Sequence, residues 1–531
     1  MTDLGVYAWM RTAVRAGIAA IAAVVAVVGS VASADAQAVD LSGPLGLQQV
    51  LEVAEAKSEA VALARVALTR NDGDFVRAKS GRRPQLSGAA SYDRSLANEF
   101  QGVFDGIDLG GGSGGADAGD GLDNLPFGRA NTWRATLSFS QTLYSGGRLD
   151  AQDALVGVGR RSSEQALSAA RAQVLFDVTQ AYYDAALSGR LVAIAEATLD
   201  QASATLRQVQ AGFDAGTQPE FEVLRARVGR DNQMPQVIRQ RVNRDVALLR
   251  LKQLLDLAPD ADLRLADVLD DERLPPPAPF IEQVATVERA LPSAGGASFS
   301  LQTNVPLPDR NAVAEAETAV SLREASLRAV QAERRPSVSL TSNYSRIAFP
   351  SGFFPTFDRS NWSIAASVSV PLLTGGRQRG DEMVALADVE QARVQLRQVQ
   401  ELAALDTRST WAELVAARAA WEATSGTVQQ ATRAYEIADV RYRAGLSTQL
   451  ELSDSRLLSQ QAEANRAQAA RDLQVARARV ALLPNLSVGA AGASVGGRGQ
   501  AASTSPALPA QGSGQVQRAS AQGGGNQSGG R

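Results

Sequence analysis

The chain of 531 residues contains no cysteine and no histidine. Those absences exclude disulfides, thiolate nucleophiles, Ser-His-Asp triads, imidazole bases and the usual zinc sites. Carboxylate, lysine or serine chemistry survives that filter, but no constellation of residues suggests an enzyme, and no cofactor is expected. A charge excess is missing too. The 53 Lys and Arg nearly balance 56 Asp and Glu, so nucleic acid is not expected as a partner. Long apolar runs are absent beyond the N-terminus. There, Arg11 and Arg15 precede "AGIAAIAAVVAVV" (16–28) and the small residues of "SVASADAQ". That run is shorter than the ~20 residues of a spanning helix, and cleavage after Ala34 or Ala36 fits a small-x-small rule. Residues 1–36 therefore read as an export signal, with no cysteine at the cleavage point to carry a lipid. An exported chain without a spanning helix can enter a membrane only as a closed barrel, because open sheet edges find no partner in lipid.

What is present is repetition. Trp133 pairs with Trp362, Arg148 with Arg377, Tyr182 with Trp411, Gly216 with Gly445 and Glu222 with Glu451, all 229 positions apart. Upstream, "RRPQLSGAASY" (82–92) matches "RRPSVSLTSNY" (334–344) at a spacing of 252. The change of spacing places an insertion between the two matched blocks of the first half. This is an internal duplication.

Each copy has one grammar. An Ala-rich helical stretch stops at Arg-Arg-Pro. An alternating segment follows: Leu86, Gly88, Ala90 and Tyr92 in the first copy, Val338, Leu340, Ser342 and Tyr344 in the second. After a loop, a second alternating segment sets Trp133, Ala135, Leu137, Phe139, Gln141 and Leu143 against Arg134, Thr136, Ser138 and Ser140. Its counterpart carries Trp362, Ile364, Ala366, Val368, Val370 and Leu372 on one face. One apolar face and one small polar face at period 2 is what a barrel wall in lipid needs. Tryptophans and tyrosines at the segment ends suit the membrane interface. Strands are expected at about 84–95, 132–144, 336–347 and 361–373.

After Gly146-Gly147 and Gly375-Gly376 the period becomes helical. Val174, Val178, Ala181, Ala185, Val192 and Ala195 form a heptad seam of small residues, so helices should approach closely. Proline-free helices are expected over about 149–210 and 379–440. The paired glycines supply the unusual backbone angles at these strand-to-helix corners. The helices end at "AGFDAGTQPEFEVL" (211–224) and "VRYRAGLSTQLELS" (440–453), where Gly216 and Gly445 suit left-handed caps. Shorter return helices are expected over 219–257 and 448–483. The domain reading is a first repeat over 37–258, a Pro-rich linker over 259–309 near mid-length, a second repeat over 310–484, and a low-complexity tail over 485–531.

With its duplicated RRP strands, its "LYSGGR" and "LLTGGR" corners and its "AGT" and "AGLS" turns, the chain resembles the TolC family of outer-membrane channels over roughly residues 47–483. The resemblance implies a homotrimer in which each chain gives four strands to one twelve-stranded barrel, continued as a helical tunnel in the periplasm. It implies a passive exit duct in the outer-membrane lipid. The partners would be a periplasmic adaptor and an inner-membrane RND or ABC transporter, for drug efflux or type I secretion. The competing class is a periplasmic coiled-coil adaptor or scaffold, which would keep the helices but place its strands in small soluble domains.

Candidate sites cluster at the turns. Glu451 and Asp454 lie on one face of the last helix, and on their own read as a solvated acidic face near a helix N-terminus. The resemblance implies that they line the tunnel's constriction, where threefold symmetry would gather six carboxylates into two cation-preferring rings and raise some of their pKa values. It also matches Tyr442 to a gate residue, and Ser447 to a position where some members have a basic partner. In the first copy Glu222 is followed by Arg225, which should offset its charge, so the second copy is favoured as the gate. Gly216 and Thr217, with Gly445 and Leu446, match turns offered to an adaptor's helical hairpin. A Gly- and Asp-rich loop over 96–131 does not match an EF-hand and reads as an acidic external loop. Its short aromatic counterpart covers 347–361.

Overall fold

The computed structural model describes residues 43–96, 131–266, 269, 274–290, 308–349, 357 and 359–488. The export signal, nearly all of the acidic loop, parts of the linker and the tail beyond residue 488 lie outside the described residues.

Two short helices open the chain: α1 (Leu47–Lys57) and α2 (Glu59–Ser80). They meet at Ser58, whose hydroxyl caps α2 by accepting from Val61 N at 3.4 Å. Strands β1 (Gln85–Arg94) and β2 (Asn131–Tyr144) lead into α3 (Arg148–Asp214), then α4 (Glu220–Asp231) and α5 (Met234–Leu254). The linker contributes α6 (Ile281–Ala290). The second repeat runs α7 (Asn311–Ala332), β3 (Ser337–Ala348), β4 (Arg359–Ser369), α8 (Arg377–Arg443) and α9 (Gln449–Leu482). The duplication is kept to the residue: α2 and α7 have 22 residues each, and α3 and α8 have 67 each. At ~1.5 Å per residue the long pair spans roughly 100 Å.

The return helices differ. The second, α9, is continuous, but the first is split into α4 and α5 at Asn232 and Gln233. Pro235 is the cause. Its ring collides with the carbonyl four residues back, which belongs to Asp231, the last residue of α4. The second repeat has Ala464 at that position.

The strands form one antiparallel sheet in the order β1-β2-β3-β4. Tyr92 faces Trp133, Leu137 faces Tyr344, and Tyr344 faces Trp362, so the apolar positions of all four strands share a face. Aromatic pairs such as Tyr92 on Trp133, with ring centres 4.8 Å apart, stabilise this register. The fourth strand stops at Ser369 rather than near residue 373. Its last partner is Ser337, where β3 begins, and Pro371 beyond it has no N–H to offer.

The main core lies at mid-length, where α1, the end of α5, the linker and the end of α9 pack on α3 and α8. Tyr182, Leu251, Leu255, Leu414 and Leu473 are buried there. The Tyr182 hydroxyl donates to Leu45 O at 3.3 Å. Arg310, immediately before α7, is a buried clasp: it reaches Asp406 at 2.9 Å, Thr407 at 3.2 Å and Leu486 O at 3.2 Å. Within this core and beyond it the long helices bury small residues. Ala181, Ala185, Val192 and Ala195 of the heptad seam are all inside, which permits the close approach of backbones that a narrow hydrophobic seam requires. Among the described residues no helix is long and apolar enough to cross a membrane.

Candidate functional site

The two turns that end α3 and α8 are built alike. Gly216 (φ 75°) and Gly445 (φ 73°) take the left-handed conformation. The following residues close the same bond: Thr217 N donates to Gly212 O and Leu446 N to Arg441 O, each at 2.8 Å. These bonds satisfy carbonyls that a helix end would otherwise leave bare. The starts of the return helices differ. Thr448 caps α9 by accepting from Glu451 N at 3.3 Å, whereas Pro219 precedes α4 without a side-chain cap.

The turns sit side by side. Tyr442 packs against the cluster of Val209, Val223 and Ala226 of the first repeat, as Leu206 does. Burial pushes its phenol pKa up, the Glu222 carboxylate pushes it further, and Arg225 partly opposes both. Glu222 is not neutralised by Arg225; no ion pair joins them among the described residues. With its amide turned to satisfy both neighbours, Gln449 donates to Glu222 Oε2 at 2.7 Å. A tertiary partner has displaced the local one.

Glu451 forms an ion pair with Arg441 at 3.2 Å, both side chains about half exposed. Asp454 is exposed, one turn further along α9. Ser447 donates to Ala438 O at 3.5 Å, reaching back onto the last turns of α8. Arg225 and Arg456 face a cavity of about 230 Å³ between α3, α4 and α9, with Gln449 and Ser453 also on its wall. Sequence reasoning missed Arg441 and Gln449. Arg441 was discoverable, because it and Glu451 lie five residues either side of Leu446 and a helical hairpin brings such positions together. Gln449 carries no such signal.

At the opposite ends of the long helices, Gly146 and Gly147 (φ 66° and 93°) and Gly375 and Gly376 (φ 59° and 87°) form the corners. Gly147 and Gly376 are the residues from which α3 and α8 start. The two corners are not equally enclosed. A Cβ on Gly146 would lie 2.6 Å from Arg335 Cβ and 2.9 Å from Ala332 O, whereas one on Gly375 would meet nothing within 4 Å.

A sheet whose apolar face is bare, continued by paired helices of this length, is the architecture of a membrane duct. The family model for outer membrane efflux protein matches residues 50–256 and 304–486. The chain belongs to the outer membrane efflux protein family. No curated protein matches it by sequence. Solved structures similar to this outer membrane efflux protein include the Campylobacter jejuni CmeC outer membrane channel, with 16% identity, TM-score 0.64, and coverage of 83% of this chain and 86% of that one. VceC of Vibrio cholerae aligns at 19% identity and TM-score 0.61 over 82% of this chain and 96% of its own. The open-state MtrE outer membrane channel of Neisseria gonorrhoeae gives 19% identity and TM-score 0.60 over 83% and 89%. As an outer membrane efflux protein, the chain is an exit duct located in the outer membrane.

Proposed function

We propose that three copies of the chain form one passive duct, each giving four strands to a twelve-stranded barrel. In this reading an inner-membrane RND or ABC transporter supplies the energy and a periplasmic adaptor joins the parts. The observation that carries it is the state of the sheet. Trp362, Ile364, Val368 and Leu372 are exposed on one face, and β1 and β4 each leave one edge without a partner among the described residues. In lipid the face is favourable but the edges are not, and closure with further copies is the solution available to a sheet.

The tip turns would serve two roles. Gly216, Thr217, Gly445 and Leu446 form paired knuckles that an adaptor's helical hairpin could engage. Glu451, Asp454 and Tyr442 would form the gate, and the Arg441–Glu451 pair would have to part or rotate as it opens. Of the two system types, efflux is the one that the family description supports.

The test is conductance in planar bilayers, wild type against Glu451→Gln/Asp454→Asn. A small cation-selective conductance that loses selectivity in the double variant establishes duct and gate together. Channels unchanged by the double variant keep the duct and return these carboxylates to a solvated face.

A further inference from the structure

The duplication supplies a template for a contact that a single chain leaves unmade. Inside the chain, β2 of the first repeat pairs with β3 of the second, and beneath that pair the corner at Gly146 is closed by the second arginine of the second RRP motif. Arg335 Nη1 donates to Gly146 O at 3.4 Å, and the arginine's stem and Ala332 fill the space beside the glycine. The first arginine of each motif has another task, within its own repeat: Arg82 reaches Asp153 at 3.0 Å, and Arg334 reaches Glu382 at 2.5 Å, 229 positions on.

That division of labour leaves two groups unused. Arg83, the equivalent of Arg335, is exposed and has no side-chain partner among the described residues. Gly375, the equivalent of Gly146, has open space beside it. The two strands above them, β1 and β4, are the two free edges of the sheet.

We propose that β4 of one copy pairs with β1 of the next in the register that β2 and β3 already use, and that the neighbouring copy's Arg83 closes the corner at Gly375. Moving β2 forward by 229 and β3 back by 252 turns Ser138↔Asn343 into Ser367↔Ser91, and Leu137↔Tyr344 into Ala366↔Tyr92. Three observations outside the template agree. The register keeps every apolar position of β1 and β4 on the face shared by the other strands, whereas a slip of one residue would invert it. The irregularity between Thr142 and Tyr144 transfers to positions 371–373, so Pro371 falls where the ladder is already interrupted. Among the described residues the three most exposed large apolar side chains, Leu373 (93%), Leu372 (91%) and Leu96 (90%), all lie at the ends of this seam. In the register Leu96 comes opposite Trp362, and Leu373 opposite Leu86. The early stop of β4 at Ser369 then marks a strand waiting for its second neighbour.

This inference rests on the trimeric duct, and the experiment separates the two. The chain has no cysteine, so pairs can be introduced without background. Ser367→Cys/Ser91→Cys is oxidised in native outer membranes, beside an intrachain control, Ser138→Cys/Asn343→Cys. Slipped pairs join Ser367→Cys to Ala89→Cys or Asp93→Cys. The expected result is covalent dimers and trimers on non-reducing gels from the matched pair, at roughly ten times the yield of either slipped pair. Trimers by native mass spectrometry that crosslink best in a slipped register, or not at all while the intrachain control does, overturn the register and leave the duct standing. A chain that is monomeric in extracted outer membranes overturns both.

Discussion

Asp177 and Asp406 hold the same position in the two repeats, 229 residues apart on helices of equal length. Asp406 meets two arginines, Arg310 at 2.9 Å and Arg479 at 3.4 Å, in a nearly dry site. Asp177 has no ion pair among the described residues. It accepts from Gln173 at 2.9 Å, and burial raises its pKa above the ordinary aspartate value, with Gln173 and the charge of Arg250 opposing the shift. The difference begins one helix away. The residue before α7 is Arg310, and the residue before α2, at the matching position, is Ser58, which caps its own helix instead. Duplication has kept the backbone and let the locks diverge. At this one position the second repeat is fastened by two ion pairs and the first by a single hydrogen bond from Gln173.

The largest effect is expected at Asp406. Asp406→Asn should destabilise by about 3–5 kcal/mol, because it leaves Arg310 buried without its nearest counter-charge; thermal unfolding of the purified protein measures it. A loss below about 1 kcal/mol would mean that the clasp is dispensable.

Next in size is the contrast between corners. Gly146→Ala combines a left-handed φ, about 1–2 kcal/mol, with overpacking against Arg335, about 1–3 kcal/mol. Gly375→Ala in an open corner would bear only the first of these. If a neighbouring copy closes that corner, the two variants should lower the melting temperature of the assembled protein equally.

Asp177→Asn should move stability the other way, and only at some pH values. Below the unfolded aspartate range both states are protonated, and the residue has no effect. As pH rises through its raised folded value, ionisation is penalised only in the folded state and stability is lost. The asparagine variant should therefore melt higher than wild type at pH 7 and match it at pH 3. A variant that melts lower at pH 7 would show that Gln173 and Arg250 outweigh burial.

The smallest effect is expected at the tip. Glu451→Gln removes a half-exposed pair with Arg441 and should change stability by less than about 1 kcal/mol, even where it alters conductance. A larger loss would make that pair a structural lock.

The backbone was largely legible in the sequence, because its decisive signals are local. A Gly-Gly pair after an alternating strand, an Arg-Arg-Pro stop and a Gly cap each act within a few residues, and all were read at their observed places. The split between α4 and α5 was equally local and was missed: Pro235 stood in plain view, but the repeat suggested a helix like its partner, which has Ala464 there. The side-chain partnerships were illegible for a different reason. Arg310 finds Asp406 across 96 residues, and Gln449 reaches Glu222 between repeats. Such pairs depend on how elements come together, which no window along one strand or helix contains. The fourth strand ended early because β3, its partner within the chain, begins at Ser337 and Pro371 has no N–H to offer.

The equal lengths of α3 and α8 act as a matched pair of rulers. Inserting one residue in either would advance its turn by ~1.5 Å and swing every later side chain by about 100° around the axis, so a single insertion would put the two knuckles out of step. Length can vary freely only where it is not measured. The spacing between the repeats shifts from 252 to 229 between β1 and β2, in the loop between two strands. Extra chain there lies outside both rulers and leaves the distance from corner to knuckle unaltered.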